Sequence, residues 1–345
     1  VKIMSQVNTL DELKLAAYLE ANIEDFKGPL TVEKFPGGQS NPTFKITASS
    51  GVYVLRRQPP GELLKSAHAV DREYRVLDAL AKTEVPVAKV YHLCEDREVI
   101  GSMFYLMECC EGNIYWDPAL PDVEKPERGA MYSEMVRVLA AMHKVDINQV
   151  GLGDYGKPGN YFQRQYKRWN AQYRASEIDN IDAMETLMAN LEQTLPEDDG
   201  RVSLVHGDYR LDNVMFAPDN SRIIAVLDWE LSTLGHPYAD VGYLCMQMRM
   251  PSLTETMLGL KGLDLNALGI PDEQQYVGLY CEHMGIEKIE HLGFYVAFSF
   301  FRLAAIVQGV AKRAAMGNAS NEKAAAAGQL VRPLAELGLE ALQKN

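Results

Sequence analysis

The residues most able to do chemistry lie in Val205-His206-Gly207-Asp208-Tyr209-Arg210-Leu211-Asp212-Asn213, followed by Val226-Leu227-Asp228-Trp229-Glu230. The spacing H-x-D-x-x-x-x-N, with an acidic residue at the end of the next hairpin strand, is that of a phosphoryl-transfer loop and its metal-binding carboxylate. Such a transfer asks little covalent help from the protein. It needs an oxygen nucleophile aimed in line at a phosphate and positive charge over the phosphate oxygens. Asp208 can accept a hydroxyl proton and orient the attacking oxygen. Asn213 supplies a neutral oxygen and Asp228 an anionic one, both hard ligands suited to Mg²⁺. Asp and Asn are also ordinary turn residues. It is the joint pattern, flanked by the apolar Leu204-Val205 and Ile223 to Leu227, that favours catalysis.

Three further features would hold a nucleoside triphosphate such as ATP. Gly37-Gly38-Gln39-Ser40 lies between two strand patterns, where glycine lets backbone N–H groups approach phosphates and Ser40 adds a hydroxyl. Arg56, in Val54-Leu55-Arg56-Arg57, is a strand cation for the α- and β-phosphates, and Glu73 on the following helix is its partner. Most kinases use lysine here, but arginine keeps its charge and binds phosphate in a bidentate way. Alternation points Arg57 to the opposite face, toward solvent. Finally, Phe104-Tyr105-Leu106-Met107-Glu108-Cys109-Cys110 is an apolar strand entering a linker, where a purine could stack and pair with the Glu108 carbonyl and the Cys110 N–H.

These residues require a particular scaffold. A helix beginning at a Thr9-x-x-Glu12 capping box, with Leu10, Leu13, Ala17 and Leu19 on one face, precedes strands at Val32 to Phe35, Thr43 to Thr47 and Val52 to Arg56. A helix from Ala69 to Lys82 and strands near Ala88 to Leu93 and Met103 to Met107 complete an antiparallel sheet of about five strands. Beyond Glu111-Gly112 the patterns are helical: Arg128 to Val145, Tyr161 to Ser176, Ala183 to Thr194, Ala239 to Met248, Asp272 to Met284, His291 to Ala315 and Glu322 to Leu342. The expected fold is α+β, protein-kinase-like and two-lobed. Residues 1–110 would form a small antiparallel β N-lobe and 111–345 a larger, mainly helical C-lobe.

Composition bounds the rest. At 345 residues the chain exceeds one ordinary core, and 47% apolar residues are ample for two lobes. A net charge of −13 disfavours nucleic acid and anionic membranes as partners. Five cysteines without C-x-x-C spacing suggest reduced thiols, and no targeting or membrane segment is visible, so a cytoplasmic location is expected.

The chain resembles the aminoglycoside phosphotransferase and choline kinase superfamily from Phe35 to about Met316. The strings Phe35-Pro36-Gly37-Gly38-Gln39-Ser40-Asn41-Pro42-Thr43, Leu55-Arg56-Arg57-Gln58-Pro59-Pro60-Gly61, Ser66-Ala67-His68-Ala69-Val70-Asp71-Arg72-Glu73-Tyr74 and Leu234-Gly235-His236-Pro237-Tyr238-Ala239-Asp240 look like the kinase domain fused to certain acyl-CoA dehydrogenases and its stand-alone bacterial relatives. The resemblance implies that Asp208 is the base, that Asn213 and Asp228 hold Mg²⁺, and that Asp240 braces the loop without touching substrate. It also implies a small-molecule hydroxyl acceptor, namely a hydroxyacyl group on coenzyme A.

One stretch bears on that acceptor independently. Between Gly156 and Ser176 stand Lys157, Arg164, Lys167, Arg168 and Arg174 with no acidic residue, among Tyr161, Tyr166 and Trp169. Such a face suits an anionic, adenine-bearing ligand and would repel a polycationic aminoglycoside, although a solvated helix face reads the same way. Arg164, Lys167 and Arg168, with Trp229 and Glu230 just past the metal carboxylate, are the substrate-side candidates. Gly151-Leu152-Gly153-Asp154-Tyr155-Gly156-Lys157-Pro158 mimics a nucleotide loop, but it follows a helix and has Pro158 where a hydroxyl is needed, so it is read as a turn. His143 is expected in the core, and His206 is expected to order the loop. Two alternatives remain open: an aminoglycoside or amino-alcohol kinase, and a catalytically silent nucleotide-binding domain.

Overall fold

The computed structural model describes residues 10–36, 41–59, 68–316 and 327–344. Strands β1 (Leu30–Lys34), β2 (Thr43–Ala48), β3 (Gly51–Arg57), β4 (Val90–Cys94) and β5 (Phe104–Glu108) form one antiparallel sheet in the order β1-β2-β3-β5-β4. Helix α1 (Glu12–Asn22) precedes it, α2 (Val70–Leu80) is inserted after β3, and a single turn, α3 (Arg97–Ile100), joins β4 to β5.

The N-cap of α1 is Asp11, whose carboxylate accepts from the Lys14 N–H, so the first turn is closed two residues past the Thr9 cap that was expected, which lies outside the described residues. Leu15 and Leu19, and not the 85% exposed Leu13, are the residues α1 buries. They join Phe26, Phe44, Ile46, Leu55, Phe104 and Leu106 on one face of the sheet. Strand alternation does put Arg57 on the face opposite Arg56. That face is the one α1 covers, however, so Arg57 is buried at 2% exposure and not solvated. Its guanidinium lies 5.6 Å from the Phe44 ring centroid and donates to the Ile100 carbonyl.

The opposite face belongs to a second, larger core. Val70, Val76, Leu77 and Leu80 of α2 and Tyr105 of β5 pack into the same cluster as the helical lobe. That lobe comprises α4 (Lys125–His143), α5 (Tyr161–Ser176), α6 (Asp182–Gln193), α7 (Tyr238–Arg249), the short α8 (Leu265–Leu268), α9 (Glu273–Met284), α10 (Leu292–Ala315) and α11 (Val331–Gln343). Between α6 and α7 lie β6 (Ser203–Val205), the hairpin β7 (Val214–Phe216) and β8 (Ile223–Val226), and β9 (Thr233–Gly235), which pairs with β6. The strand pattern did not reveal β9, which spans only three residues. The last helix begins at Val331 after a turn at Ala327–Leu330, and the expected start at Glu322 lies outside the described residues.

By length and hydropathy α10 could cross a membrane, but 78% of its apolar window is buried against neighbouring helices, as in a core helix. The segment around Gly151 is a turn docked on α2. Tyr155 is buried there, and its hydroxyl bonds Ser232.

Between the lobes, Cys109 to Gly112 pairs with no strand until Asn113, which exchanges two backbone hydrogen bonds of 2.8 Å with Phe216. A Cβ on Gly112 would lie 2.1 Å from the Phe216 carbonyl oxygen, so this close approach needs glycine.

Candidate active site

The catalytic loop is held from beneath by a buried carboxylate. Asp240, near the start of α7, is fully buried and accepts the His206 and Gly207 N–H groups, each at 2.8 Å. Burial alone would raise its pKa; the His143 hydrogen bond and the surrounding donors more than offset this and hold it below the usual carboxylate range. His143 is buried in the core, with Nε2 3.3 Å from Asp240 and Nδ1 2.8 Å from the Tyr280 hydroxyl.

His206 then ties the loop to the hairpin. Its Nε2 lies 2.8 Å from the Leu227 carbonyl, which can only accept, so Nε2 carries the proton and Nδ1 accepts the Asp208 N–H at 3.2 Å. Asn213 donates from Nδ2 to the Asp208 carbonyl and to its Oδ2, each at 2.9 Å. Because the amide nitrogen is engaged twice, its Oδ1 is the atom left for a ligand. The Asn213 carbonyl accepts the Leu227 N–H at 2.8 Å, which places Asp228 beside it at the open end of the hairpin. Asp208, Asn213 and Asp228 are therefore brought together.

The N-lobe adds a cation from above. Arg56 Nε is 2.8 Å from Glu73 Oε2, and its Nη2 is 2.8 Å from Asp228 Oδ1 and 3.9 Å from Glu230 Oε2. Glu73 is further fixed by Asn41 Nδ2 at 2.7 Å and the Tyr105 hydroxyl at 3.2 Å. Burial would lower the Arg56 pKa, but Glu73 and Asp228 together hold it above its ordinary value. Burial pushes the Glu73 carboxyl up to about 7, against the attraction of Arg56 and with the help of the Asp228 and Glu230 charges.

The geometry also answers whether a divalent cation fits. The donor set is a hard carboxylate and a hard amide oxygen, and Asp228 already faces a positive group, the Arg56 guanidinium. A site with few protein oxygens, completed by phosphates and water, is the kind Mg²⁺ takes. Among the described residues no group of three or more His, Cys, Asp or Glu side chains could hold a metal, so a cage made by protein alone is not built here.

The remaining expected residues divide. Gly37, Gly38, Gln39 and Ser40 lie outside the described residues. Glu108 ends β5, with Oε2 accepting from Lys89 N–H, and Cys110 lies in the unpaired linker, as a purine-binding segment requires. Glu230 faces the site. Trp229 does not: at 2% exposure its indole packs 4.8 Å from the His206 ring and donates to the Val226 carbonyl. It wedges the loop and is not presented to substrate. On α5 the basic and aromatic residues face opposite ways: Tyr161, Tyr166 and Trp169 are buried, whereas Lys167 and Arg168 are exposed. Arg164 turns back onto the Lys157 and Pro158 carbonyls.

Beside the loop opens a cavity of about 120 Å³, lined by Arg210, Asp212, Tyr243, Met246, Met250 and Leu303, among others. Trp116, 74% exposed, stands on its wall. Asp212 is neutralised by a two-pronged pair with Arg210. Sequence reasoning missed this wall because, beyond Arg210 and Asp212 of the loop, its residues come from separate elements and share no motif.

The model of the phosphotransferase enzyme family matches residues 31–269. The chain belongs to that family. As a member it is a small-molecule phosphotransferase that acts on hydroxyl groups. An aminoglycoside-phosphotransferase-like protein of Ralstonia eutropha JMP134 superposes with a TM-score of 0.89 at 51% identity, over 97% of this chain and 99% of that one. The acyl-CoA dehydrogenase family member 10 of Mus musculus is 48% identical over 92% of this chain, which covers 30% of that relative. Family member 11 of Rattus norvegicus is 41% identical over 99% of this chain, or 44% of the relative. The chain thus spans less than half the length of these curated relatives. Aminoglycoside phosphotransferase APH(4)-Ia, solved with ADP and hygromycin B, shares the fold with a TM-score of 0.62 at 16% identity, over 94% of this chain and 97% of that one. The likeness to kinase domains fused to acyl-CoA dehydrogenases, first seen in the loop wording, is borne out, as is the two-lobed fold.

Proposed function

We propose that this phosphotransferase moves the γ-phosphate of ATP onto the hydroxyl of a hydroxyacyl group carried by coenzyme A. The observation that carries the transfer is the convergence of Asp208, Asn213 and Asp228 beneath Arg56. In this reading Asp208 accepts the acceptor's proton and aims its oxygen. Asn213 Oδ1 and Asp228 would hold Mg²⁺, which supplies charge neutralisation over the phosphate oxygens when bound. Arg56, steadied by Glu73, reaches the α- and β-phosphates. The unpaired linker at Cys110 receives the purine. The complex of the APH(4)-Ia structure with ADP supports the choice of nucleotide.

The acyl preference is supported by the wall beside the base. Met246, Met250 and Leu303 are apolar, and the one lining carboxylate, Asp212, is paired with Arg210. A polycationic aminoglycoside would find no free carboxylate among these lining residues. The names of the acyl-CoA dehydrogenase relatives point the same way. The five cysteines are all unpaired, which supports a reducing, cytoplasmic setting. The test is incubation with Mg-ATP and panels of hydroxyacyl-CoAs, aminoglycosides, choline and sugars, read by mass. A new phosphate on a hydroxyacyl-CoA is expected; transfer only to a free sugar or amine would overturn the preference, and transfer to none would favour a silent nucleotide-binding domain.

A further inference from the structure

The most apolar of the described helices, α10, carries an arginine in its middle. Arg302 Nε is buried without a hydrogen-bond partner, and among the described residues its guanidinium makes neither an ion pair nor a hydrogen bond. What surrounds it is aromatic: the guanidinium carbon lies 5.6 Å from the Trp169 ring centroid and 5.7 Å from that of Tyr243. The same indole carries the Arg168 guanidinium, also at 5.6 Å. Arg168 is exposed and likewise has no carboxylate partner among the described residues.

The other end of this row reaches the catalytic base. Tyr243 lines the cavity with Arg210 and Leu303, the latter adjacent to Arg302 in the chain. Burial first, and the neighbouring Asp208 carboxylate next, push the Tyr243 phenol up. Tyr243, Arg302, Trp169 and Arg168 therefore form a continuous row of cation and ring contacts from the cavity beside the loop to the exposed face of α5.

Arg302 is partly exposed with only its Nε out of water, so a guanidinium flanked by aromatic faces and without a counter-charge keeps N–H donors free for a ligand. Such a group is suited to an anion delivered by a ligand, which a guanidinium binds through paired N–H donors. We propose that Arg302, assisted by Arg168, recognises a phosphate-class anion on the acceptor whose hydroxyl is presented to Asp208. The acceptor's orientation rests on the reading of Asp208 as base; the anion site itself does not, and can be measured without turnover.

The test is calorimetric titration of coenzyme A into the protein saturated with Mg-AMP-PNP, so that the nucleotide cleft is occupied. Pantetheine, which shares the thiol arm but lacks phosphates, is the neutral probe. Arg302→Met should weaken coenzyme A at least tenfold and leave pantetheine unchanged, and Arg302→Lys should recover part of the loss. Wild-type protein that does not bind coenzyme A, a variant that binds it normally, or an equal loss for pantetheine would overturn the proposal. Should Arg302→Met fail to fold, Arg302→Lys and Arg168→Gln decide it: weaker coenzyme A binding by Arg168→Gln supports it, and unaltered affinity in both overturns it. Failure of the kinase reading would show separately, as a wild type that binds coenzyme A through Arg302 yet transfers phosphate to no acceptor.

Discussion

Arg56 Nη2 and Asp228 Oδ1, 172 residues apart in sequence, stand 2.8 Å from each other across the junction of the two lobes. A cation placed at Asp228 would compete for the same oxygen and release the guanidinium toward the phosphates. Asp228 is in the left-handed region, φ +59, which aspartate tolerates better than most residues and which turns its carboxylate up from the hairpin. Lysine offers one compact charge where arginine offers a fork, and so cannot hold Glu73 and Asp228 together. Arg56→Lys is expected to raise the KM for ATP about tenfold, the worth of roughly 1.4 kcal/mol, with a much smaller change in kcat. Steady-state kinetics with varied ATP would show it.

Asp208 is positioned by its own backbone and by Asn213, not by the nucleotide pocket. Asp208→Asn should therefore lower kcat by about 10²- to 10⁴-fold, the usual worth of a positioned base, while AMP-PNP affinity stays within a factor of about three. Turnover at the wild-type rate with the best acceptor would show the base to be misassigned.

Glu73 makes a pH-dependent prediction. Its pKa is raised to about 7, from burial and from the charges of Asp228 and Glu230. In the nucleotide-free protein this favours the protonated form, so its contribution to stability is present below the unfolded carboxylate range near pH 4.5 and is lost as pH rises through about 7. A cation bound at Asp228 removes one of those repulsions and lowers the Glu73 pKa. Mg-AMP-PNP binding near pH 7 should thus release up to about half a proton, read from calorimetry in buffers of different ionisation enthalpy. The release should vanish in Glu73→Gln.

Asp240 makes the opposite kind of contribution. Both oxygens accept backbone N–H groups, so Asp240→Asn must turn an NH₂ toward a donor inside the core. The expected loss is on the order of 2 kcal/mol in denaturant unfolding, accompanied by loss of transfer. An unchanged unfolding midpoint would mean the loop is held some other way.

Much of this was legible before any coordinates. Asp208, Asn213 and Asp228, the proposed base and metal ligands, come from one contiguous loop and the strand after it, so local spacing encodes their meeting. The Arg56–Glu73 pair was legible too, since a strand and the next helix are neighbours in any such sheet. Arg57 and Trp229 were misread for a shared reason: periodicity tells which side a residue faces, whereas only tertiary packing tells what covers that side. Tyr243 and Arg302 were not legible at all. Each is a single residue on a long helix, and nothing in α7 or α10 signals that the two helices set them against one another beside Asp208.

The stitch between Asn113 and Phe216 limits what can move. Past Gly112 the chain is fastened to the hairpin that leads to Asp228, so the stretch without strand pairing is the four residues Cys109 to Gly112. Because α2 and Tyr105 are packed into the core of the helical lobe, any swing of the sheet would draw on this linker and part Arg56 from Asp228, while Trp116 and the apolar wall lie on the far side of the stitch. Under the proposed reading, purine and alcohol would thus be seated on opposite sides of one short covalent tether.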